Sequence, residues 1–451
     1  MNYNTPRVVT IKKIINGGYG LAQLPTGKAV LVRYALPGET VSISLVRQQK
    51  RFDYTAVAEV IEPSPDRIAA PCPYYHRCGG CDLQHASYTA QCRLKDEIIR
   101  DLLSGSESKT LQQSVSLLWP IIGSADHFGY RQRIRMKIDE RGNPGFSHFR
   151  SHKIITVKNC LLATEPINTC LSELHTHAEF KHLGSISEEL ELSLNQLSGK
   201  VSLHLILRRP PRPKDRRRAQ TLAADIDILD RLFFSGQNFA QEGPFGDGEQ
   251  RQDNLLGFEF EDEQPLTLRW EVGGFSQVNL PQNLKMIQLV DQFVQPEPTD
   301  RILDLYCGMG NFSVVLARQA GAVLGIEGQG SAIRSAKSNA ERNHLTNCTF
   351  IKSDVASACR DLAANGETFA TVVCDPPRRG LSGLAGLAGS LARKRIVYIS
   401  CDPATLCRDL QELVGQGFVI GAIQPLDMFP QTHHLETVVL LEKEPSGWRK
   451  H

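Results

Sequence analysis

Three residues in the last third of the chain stand where side chains could make and break bonds. Cys401 lies in Ser400-Cys401-Asp402-Pro403, directly after the apolar run Ile396-Val397-Tyr398-Ile399. Asp402-Pro403 reads as a helix N-cap followed by proline at the first helical position. Cys401 is thereby pinned at a helix N-terminus, which favours a thiolate over a free thiol of pKa ~8.5 and makes this residue a candidate nucleophile. Asp375 follows the run Thr371-Val372-Val373-Cys374 and precedes Pro376-Pro377, which fix the backbone beyond it. Open parallel sheets bind ligands at such strand ends. Glu436 starts an apolar run, where burying a carboxylate is costly unless it serves a purpose; capping an edge strand is the plain alternative.

A second set of residues reads as a small-molecule site. Asp304-Leu305-Tyr306-Cys307-Gly308-Met309-Gly310-Asn311-Phe312-Ser313 is a strand, a glycine-rich turn and a helix start. Glycines there let the backbone approach a ligand closely. The next strand, Ala322–Ile326, ends at Glu327, 19 residues after Gly308. An acid at that distance can accept both hydroxyls of an adenosine ribose. Ser313 replaces the third glycine of a dinucleotide fingerprint, and Asp304 would repel a pyrophosphate. A ligand with a cationic centre and no phosphate fits better, which points to S-adenosylmethionine. Asp354, after Thr349–Lys352, is placed for the adenine side, with a helix N-cap as the alternative. The backbone amides of Gly274–Asn279 could meet a ligand or a base edge.

A third set is soft. Cys72, Cys78 and Cys81 form C-x5-C-x2-C, with Gly79 and Gly80 allowing a tight turn, so three thiolates within ten residues can wrap one metal centre. Cys160 is taken as the fourth ligand in preference to Cys92 and Cys170. Zinc uses the same donors but typically shows paired C-x2–4-C spacings.

These residues need elements to place them. The chain has 451 residues, which predicts two or three domains. Residues 1–68 read as five short strands, Val8–Ile15, Gly20–Leu24, Ala29–Val32, Thr40–Leu45 and Ala56–Ile61, broken by turn residues. With nine Lys+Arg against five Asp+Glu, they fit a small basic β-barrel of the oligonucleotide-binding kind. A central α+β domain spans 69–265. Within it Arg133, Arg135 and Lys137 alternate with apolar residues, which puts the cations on one face, either as a phosphate-tracking stripe or as the wet face of a sheet. The run Arg208–Arg218 reads as a basic, proline-rich loop, and Glu259, Glu261, Asp262 and Glu263 as an acidic one. From 266 to 451 strands alternate with helices, as in a doubly wound α/β domain. No apolar run reaches the ~18 residues that span a bilayer, and the N-terminus has no signal-peptide pattern, so a cytoplasmic protein is expected. Twelve cysteines are far too few for a disulfide scaffold of this length.

Taken together, Phe-Ser-Gln-Val-Asn (275–279), Asp-Leu-Tyr-Cys-Gly-Met-Gly-Asn-Phe (304–312), Asp-Pro-Pro-Arg (375–378), Ser-Cys-Asp-Pro (400–403) and His-Leu-Glu-Thr-Val (434–438) resemble, in order, the motifs of the RNA uracil-5-methyltransferases of the RumA/TrmA type. The resemblance is closest to the RumA-like 23S rRNA branch and covers nearly the whole chain, the barrel resembling that family's TRAM domain. It implies methylation of uridine C5 in 23S rRNA, with tRNA as the rival substrate. It implies Cys401 as nucleophile and Glu436 as general base. Gln277, Tyr306, Asn311, Glu327, Asp354 and Asp375 would line the S-adenosylmethionine site, and Cys72, Cys78, Cys81 and Cys160 would hold a [4Fe–4S] cluster. A cytosine-5 enzyme, a non-catalytic iron–sulfur RNA-binding protein and a dinucleotide-dependent oxidoreductase are the competing classes.

Overall fold

The computed structural model describes residues 7–44, 47–48, 50–246, 255–260 and 265–444; Leu45 and the acidic residues Glu261, Asp262 and Glu263 lie outside them. Hydrophobic alternation and turn residues divide the N-terminal part into β1 (Arg7–Thr10), β2 (Lys13–Ile15), β3 (Tyr19–Gln23), β4 (Ala29–Arg33), β5 (Thr40–Ile43), β6 (Arg47–Gln48) and β7 (Phe52–Glu62). They form a barrel-like sheet of order β1-β5-β7-β4-β3-β2, with β6 also on β7. The 11-residue β7 pairs parallel to β4 with its first half and antiparallel to β5 with its second, so it serves both sides of the barrel. The run Val8–Ile15 is two strands rather than one. The Ile11 amide turns to Glu39 O at 2.9 Å and the Lys12 amide to Leu21 O at 2.8 Å, which moves the chain from one neighbour to the other.

Helix α1 (Tyr88–Ser104) follows the cysteine segment, capped by the Ser87 side chain, and α2 (Lys109–Gln113) follows it. Leu94 and Ile98 of α1 pack with Ile14 and Leu36 of the barrel, while Ile99 and Leu103 enter the core of the C-terminal sheet. This one helix is a wedge between the two.

The central sheet comprises β8 (Arg133–Ile138), β9 (Pro144–Ser147), β10 (Ile154–Thr156), β11 (Ser187–Asn195), β12 (Lys200–Leu207), β13 (Leu229–Gly236) and β14 (Phe239–Phe245), in the order β10-β9-β8-β11-β12-β13-β14. Helices α3 (Glu165–Thr176), α4 (Ala178–Ser185) and α5 (Pro213–Asp225) contribute Ile167, Leu171, Phe180 and Leu222 to its core. The basic run 208–218 is therefore not all loop. Pro213 occupies the first turn of α5, and the Asp215 carboxylate accepts the Arg212 amide at 2.8 Å, an N-terminal cap that lets Lys214–Arg218 start a helix. Three of the run's seven cations are matched by carboxylates, Arg209 with Asp215, Arg216 with Glu242 and Arg218 with Glu179. On β8, Arg135 and Lys137 do share one exposed face, where both pair with Glu189 of β11.

The C-terminal part opens with a hairpin, β15 (Leu255–Phe260) and β16 (Leu266–Glu271), whose Phe258, Leu268 and Trp270 join the same core as α6 (Leu280–Val294). Then come β17 (Arg301–Leu305), α7 (Ser313–Leu316), β18 (Ala322–Glu327), α8 (Gly330–Arg342), β19 (Cys348–Lys352), α9 (Val355–Ala364), β20 (Phe369–Cys374), α10 (Ala385–Leu391), β21 (Ala392–Ser400), α11 (Pro403–Val414), β22 (Phe418–Leu426) and β23 (Glu436–Lys443). The sheet order is β19-β18-β17-β20-β21-β23-β22. β17 to β21 run parallel and β23 is antiparallel to both neighbours. Their near-continuous apolar sequences, such as Phe369–Val373, are those of strands covered on both faces. This is the doubly wound domain expected from the sequence.

Candidate active site

Sheet topology gathers the reactive residues. Asp375 and Cys401 leave the carboxyl ends of β20 and β21, which are neighbours. Because β23 is antiparallel, its first residue, Glu436, sits at the same edge: Thr437 pairs with Ser400, so Glu436 and Cys401 extend from adjacent strands. Glu436 is 2% exposed. Burial, reinforced by the Asp375 carboxylate and opposed by Arg378, holds its carboxyl well above the usual range. Burial and the Asp304 carboxylate raise Asp375 to about 7.

At Cys401 the surroundings oppose the expected thiolate. Burial pushes this thiol up to about 12, with Glu436 and Asp375 adding to the rise and Arg378 opposing it. The N-terminus of α11 is occupied by another group, since Asp402 accepts the Ala404 and Thr405 amides at 2.9 and 3.0 Å. The local sequence shows the helix start; the two carboxylates beside the sulfur come from strands distant in sequence. Replacing Asp375 by asparagine is therefore expected to let iodoacetamide alkylate Cys401 at lower pH, by roughly one pH unit, because a negative neighbour is gone. An unchanged alkylation profile would refute the charge coupling.

At the other end of the crevice, the turn after β17 is set by Tyr306, at φ 63°, and Gly310, at φ 86°, where a Cβ would meet Val314 at 3.1 Å. Glu327 at the end of β18 binds the turn from below, accepting the Gly308 amide at 3.3 Å and the Gln329 amide at 2.8 Å. Each of its oxygens keeps a further lone pair. Asn311 exchanges two amide hydrogen bonds of 3.0 Å with Asn283 of α6, so its side chain is already engaged. Asp354 caps α9 by accepting the Ser357 amide at 3.0 Å. Asp304 is fully buried and accepts the Ser313 hydroxyl at the start of α7. Gln277 is half-buried in the segment before α6.

Several groups escaped the reading of the sequence. Arg378, three residues past Asp375, donates to His434 Nε2 at 3.2 Å and so ties the loop after Asp375 to the approach to Glu436. Phe275 is 57% exposed, with the Arg133 guanidinium 5.5 Å from its ring centre and bonded to Gly274 O. The Asp375–Arg378 spacing and the His433-His434 doublet were the available signals.

Cys72, Cys78, Cys81 and Cys160 all line one cavity of about 260 Å³, together with Arg131 and Gln84. Cys170 is instead in the core of the central sheet, and Cys92 is on α1. Burial pushes the thiol of Cys81 up to about 12 and raises those of Cys78 and Cys160, and the thiols raise one another. Among the described residues no three His, Cys, Asp or Glu side chains form a group suited to a single metal ion. Four soft donors on one cavity, with no carboxylate among its lining residues, suit a larger group with thiolate ligands.

A doubly wound domain with a glycine-rich turn at one end of its crevice and a cysteine facing two carboxylates at the other defines a methyltransferase-class protein. The chain belongs to the tRNA (uracil-5-)-methyltransferase family, whose model matches residues 122–444, and it is an RNA uracil-5-methyltransferase. It is 32% identical over 446 residues to the 23S rRNA (uracil(1939)-C(5))-methyltransferase RlmD of Vibrio parahaemolyticus, covering 97% of this chain and 96% of that one. It is 33% identical to the RlmD of Pseudomonas putida, over 96% and 92% of the two chains. An uncharacterized RNA methyltransferase of Halalkalibacterium halodurans is 31% identical over 98% of each. Among solved structures, the tRNA (uracil-54, C5)-methyltransferase of Pyrococcus abyssi, in complex with S-adenosyl-L-homocysteine, superposes with a TM-score of 0.71 at 23% identity, covering 96% of this chain and all of that one.

Proposed function

We propose that this protein methylates C5 of a uridine in 23S rRNA, with S-adenosylmethionine as methyl donor. The reading rests on the meeting of Cys401, Glu436 and Asp375 at one sheet edge, and the full-length similarity to the RlmD proteins supports the rRNA substrate. S-adenosylmethionine, once bound, supplies an electrophilic methyl group. Tyr306, Glu327 and Asp354 line its nucleoside side, and Gln277 and Asp375 face the reacting end. Asn311 contributes by fixing the turn against α6.

Uracil C5 is a weak nucleophile. Cys401 Sγ, as thiolate, adds to C6, and the C5=C6 electron pair moves toward O4 as an enolate; C5 then takes the methyl group as its bond to the sulfonium sulfur breaks, the pair staying on sulfur in the departing S-adenosylhomocysteine. Glu436 then takes the C5 proton; the released pair re-forms C5=C6 and expels Cys401 as thiolate. A thiol raised to about 12 needs activation in the complex. The guanidinium of Arg378 is the nearby cation that favours the thiolate. A uridine inside a helix cannot reach this crevice, so the target is flipped out or lies in a loop.

The barrel of residues 1–68, TRAM-like in this reading, and the central domain of 69–265 with its exposed Phe275 neighbour bind the RNA, and residues 266–451 do the chemistry. Cys72, Cys78, Cys81 and Cys160 hold a [4Fe–4S] cluster, which supplies a rigid fold for their segment. Among the described residues no helix is long and apolar enough to cross a membrane, and the reading places the protein with its RNA in the cytoplasm.

Tritium release from RNA labelled at uracil C5 tests the function. Release from unmethylated 23S rRNA and not from tRNA is expected. Release from tRNA alone would keep the chemistry and replace the substrate. Anaerobically purified protein is expected to carry iron and acid-labile sulfide in about equal amounts, roughly four of each per chain for a [4Fe–4S] centre. Zinc without sulfide would overturn the cluster.

A further inference from the structure

Glu436 is delivered by a nine-residue approach, Asp427–Leu435, with no regular secondary structure of its own. Gln431 in its middle adopts φ 70°, a left-handed conformation that is strained for a non-glycine residue and persists only where surroundings impose it. Two sides impose it: Gln91 of α1 accepts the Gln431 amide and donates to its Oε1, both at 2.9 Å, and the segment beside the cysteine motif holds its carbonyl and the residues that follow. The amides of Asp82 and Leu83 both donate to Gln431 O at 3.0 Å. The Asp82 carboxylate accepts His433 Nδ1–H at 2.6 Å and the Arg33 guanidinium of β4 at 3.0 Å. The Tyr75 hydroxyl donates to Asp82 O at 2.7 Å, which locks the residue's own backbone. Gly18 of the barrel closes over the contact: a Cβ there would lie 2.9 Å from His433 and 3.4 Å from Asp82. Beyond His433, His434 meets Arg378, and Glu436 follows two residues later.

We propose that Asp82 is a positioning residue for the proton-transfer step, clamping the approach to Glu436 onto the cysteine segment and the barrel. The proposal rests on the reading of Glu436 as proton acceptor. A buried carboxyl that must reach one C–H of a bound base has little freedom to compensate for a shifted backbone, and a misplacement near 1 Å can cost about 10²-fold. The backbone of Cys401 is held by β21 and the Asp402 cap, outside the clamp.

The test separates the two halves of the reaction in the full-length protein, with in-vitro transcribed, unmodified 23S rRNA as probe. For Asp82→Ala, tritium release from uracil C5 is expected to fall about 10- to 100-fold. The methylated RNA–protein adduct should accumulate on denaturing gels, while RNA affinity and the rate of adduct formation stay within about threefold. Both variants keep the backbone amides on Gln431 O, so Asp82→Asn, which restores an acceptor for His433, should recover most of the release. His433→Ala, at the other end of the same bond, should repeat the Asp82→Ala pattern if the latter variant folds poorly. Adduct formation falling in parallel with release, or release within about twofold of the unaltered chain, overturns the clamp. Glu436→Gln is the control. If it traps adduct and the clamp variants do not, the positioning role fails alone; if it traps none, the base assignment fails and takes the clamp with it.

Discussion

Replacing Cys401 by alanine is expected to reduce 5-methyluridine formation by at least about 10³-fold, since loss of a covalent nucleophile removes a whole route and not one contact. RNA affinity should change by less than about threefold, because in the proposed reaction the bond from Cys401 forms only after the RNA is bound. The variant should fold, since the helix that follows is capped by Asp402 and not by the thiol. Cys401→Ser should be nearly as inactive, a neutral hydroxyl being a far weaker nucleophile toward C6. The covalent RNA band should vanish from denaturing gels in both variants. A Cys401→Ala protein that still methylates within tenfold of the unaltered chain would remove the nucleophile from the mechanism. Loss of RNA binding in parallel with activity would instead make the residue structural.

The second large effect is on stability. Lys95 of α1 and Asp427 at the end of β22 form an ion pair of 2.6 Å in which both side chains are fully buried, and Lys95 also donates to Phe429 O at 3.1 Å. Lys95→Met removes the cation and leaves Asp427 in an apolar interface, where its Oδ2 already has no partner among the described residues. Breaking one half of a buried pair costs about 3–5 kcal/mol. The loss should appear in the unfolding step that separates α1 from the C-terminal sheet, read by denaturant titration together with proteolysis of the 427–434 segment. The double substitution Lys95→Met with Asp427→Leu should regain most of it, since an apolar pair of similar volume needs no solvation. If the double variant is as unstable as the single one, the ion pair is not the source of the effect.

How much of this was legible in advance differs from residue to residue. The strand-turn-helix around Gly308, the acid closing β18 and the cap-proline start of α11 are local patterns, and each reads directly from spacing. The break at Ile11-Lys12 was not legible, because it depends on Glu39 and Leu21 supplying acceptors from other strands. In the basic run 208–218 the proline and aspartate of a helix start were present but outweighed by its charge. The ionisation of Cys401 is not local either: its sequence neighbours show the helix N-terminus, whereas Glu436 and Asp375 arrive through the sheet and raise the thiol.

The sequence by itself determined the class of chemistry and the order of the parts, because residue type and short spacing carry that information: a cysteine after one strand, carboxylates at the ends of two others, glycines after a fourth, and three thiols within ten residues. Only the tertiary structure decided which of these meet and in what electrostatic state. An antiparallel last strand brings Glu436 beside Cys401, a cavity collects Cys160 with thiols more than 70 positions away, and α1 and Asp82 pin the approach to the base. Such contacts join residues from 35 positions apart, Cys401 and Glu436, to 351, Asp82 and His433, and their strength depends on burial, which is a property of the packed chain and of no segment within it.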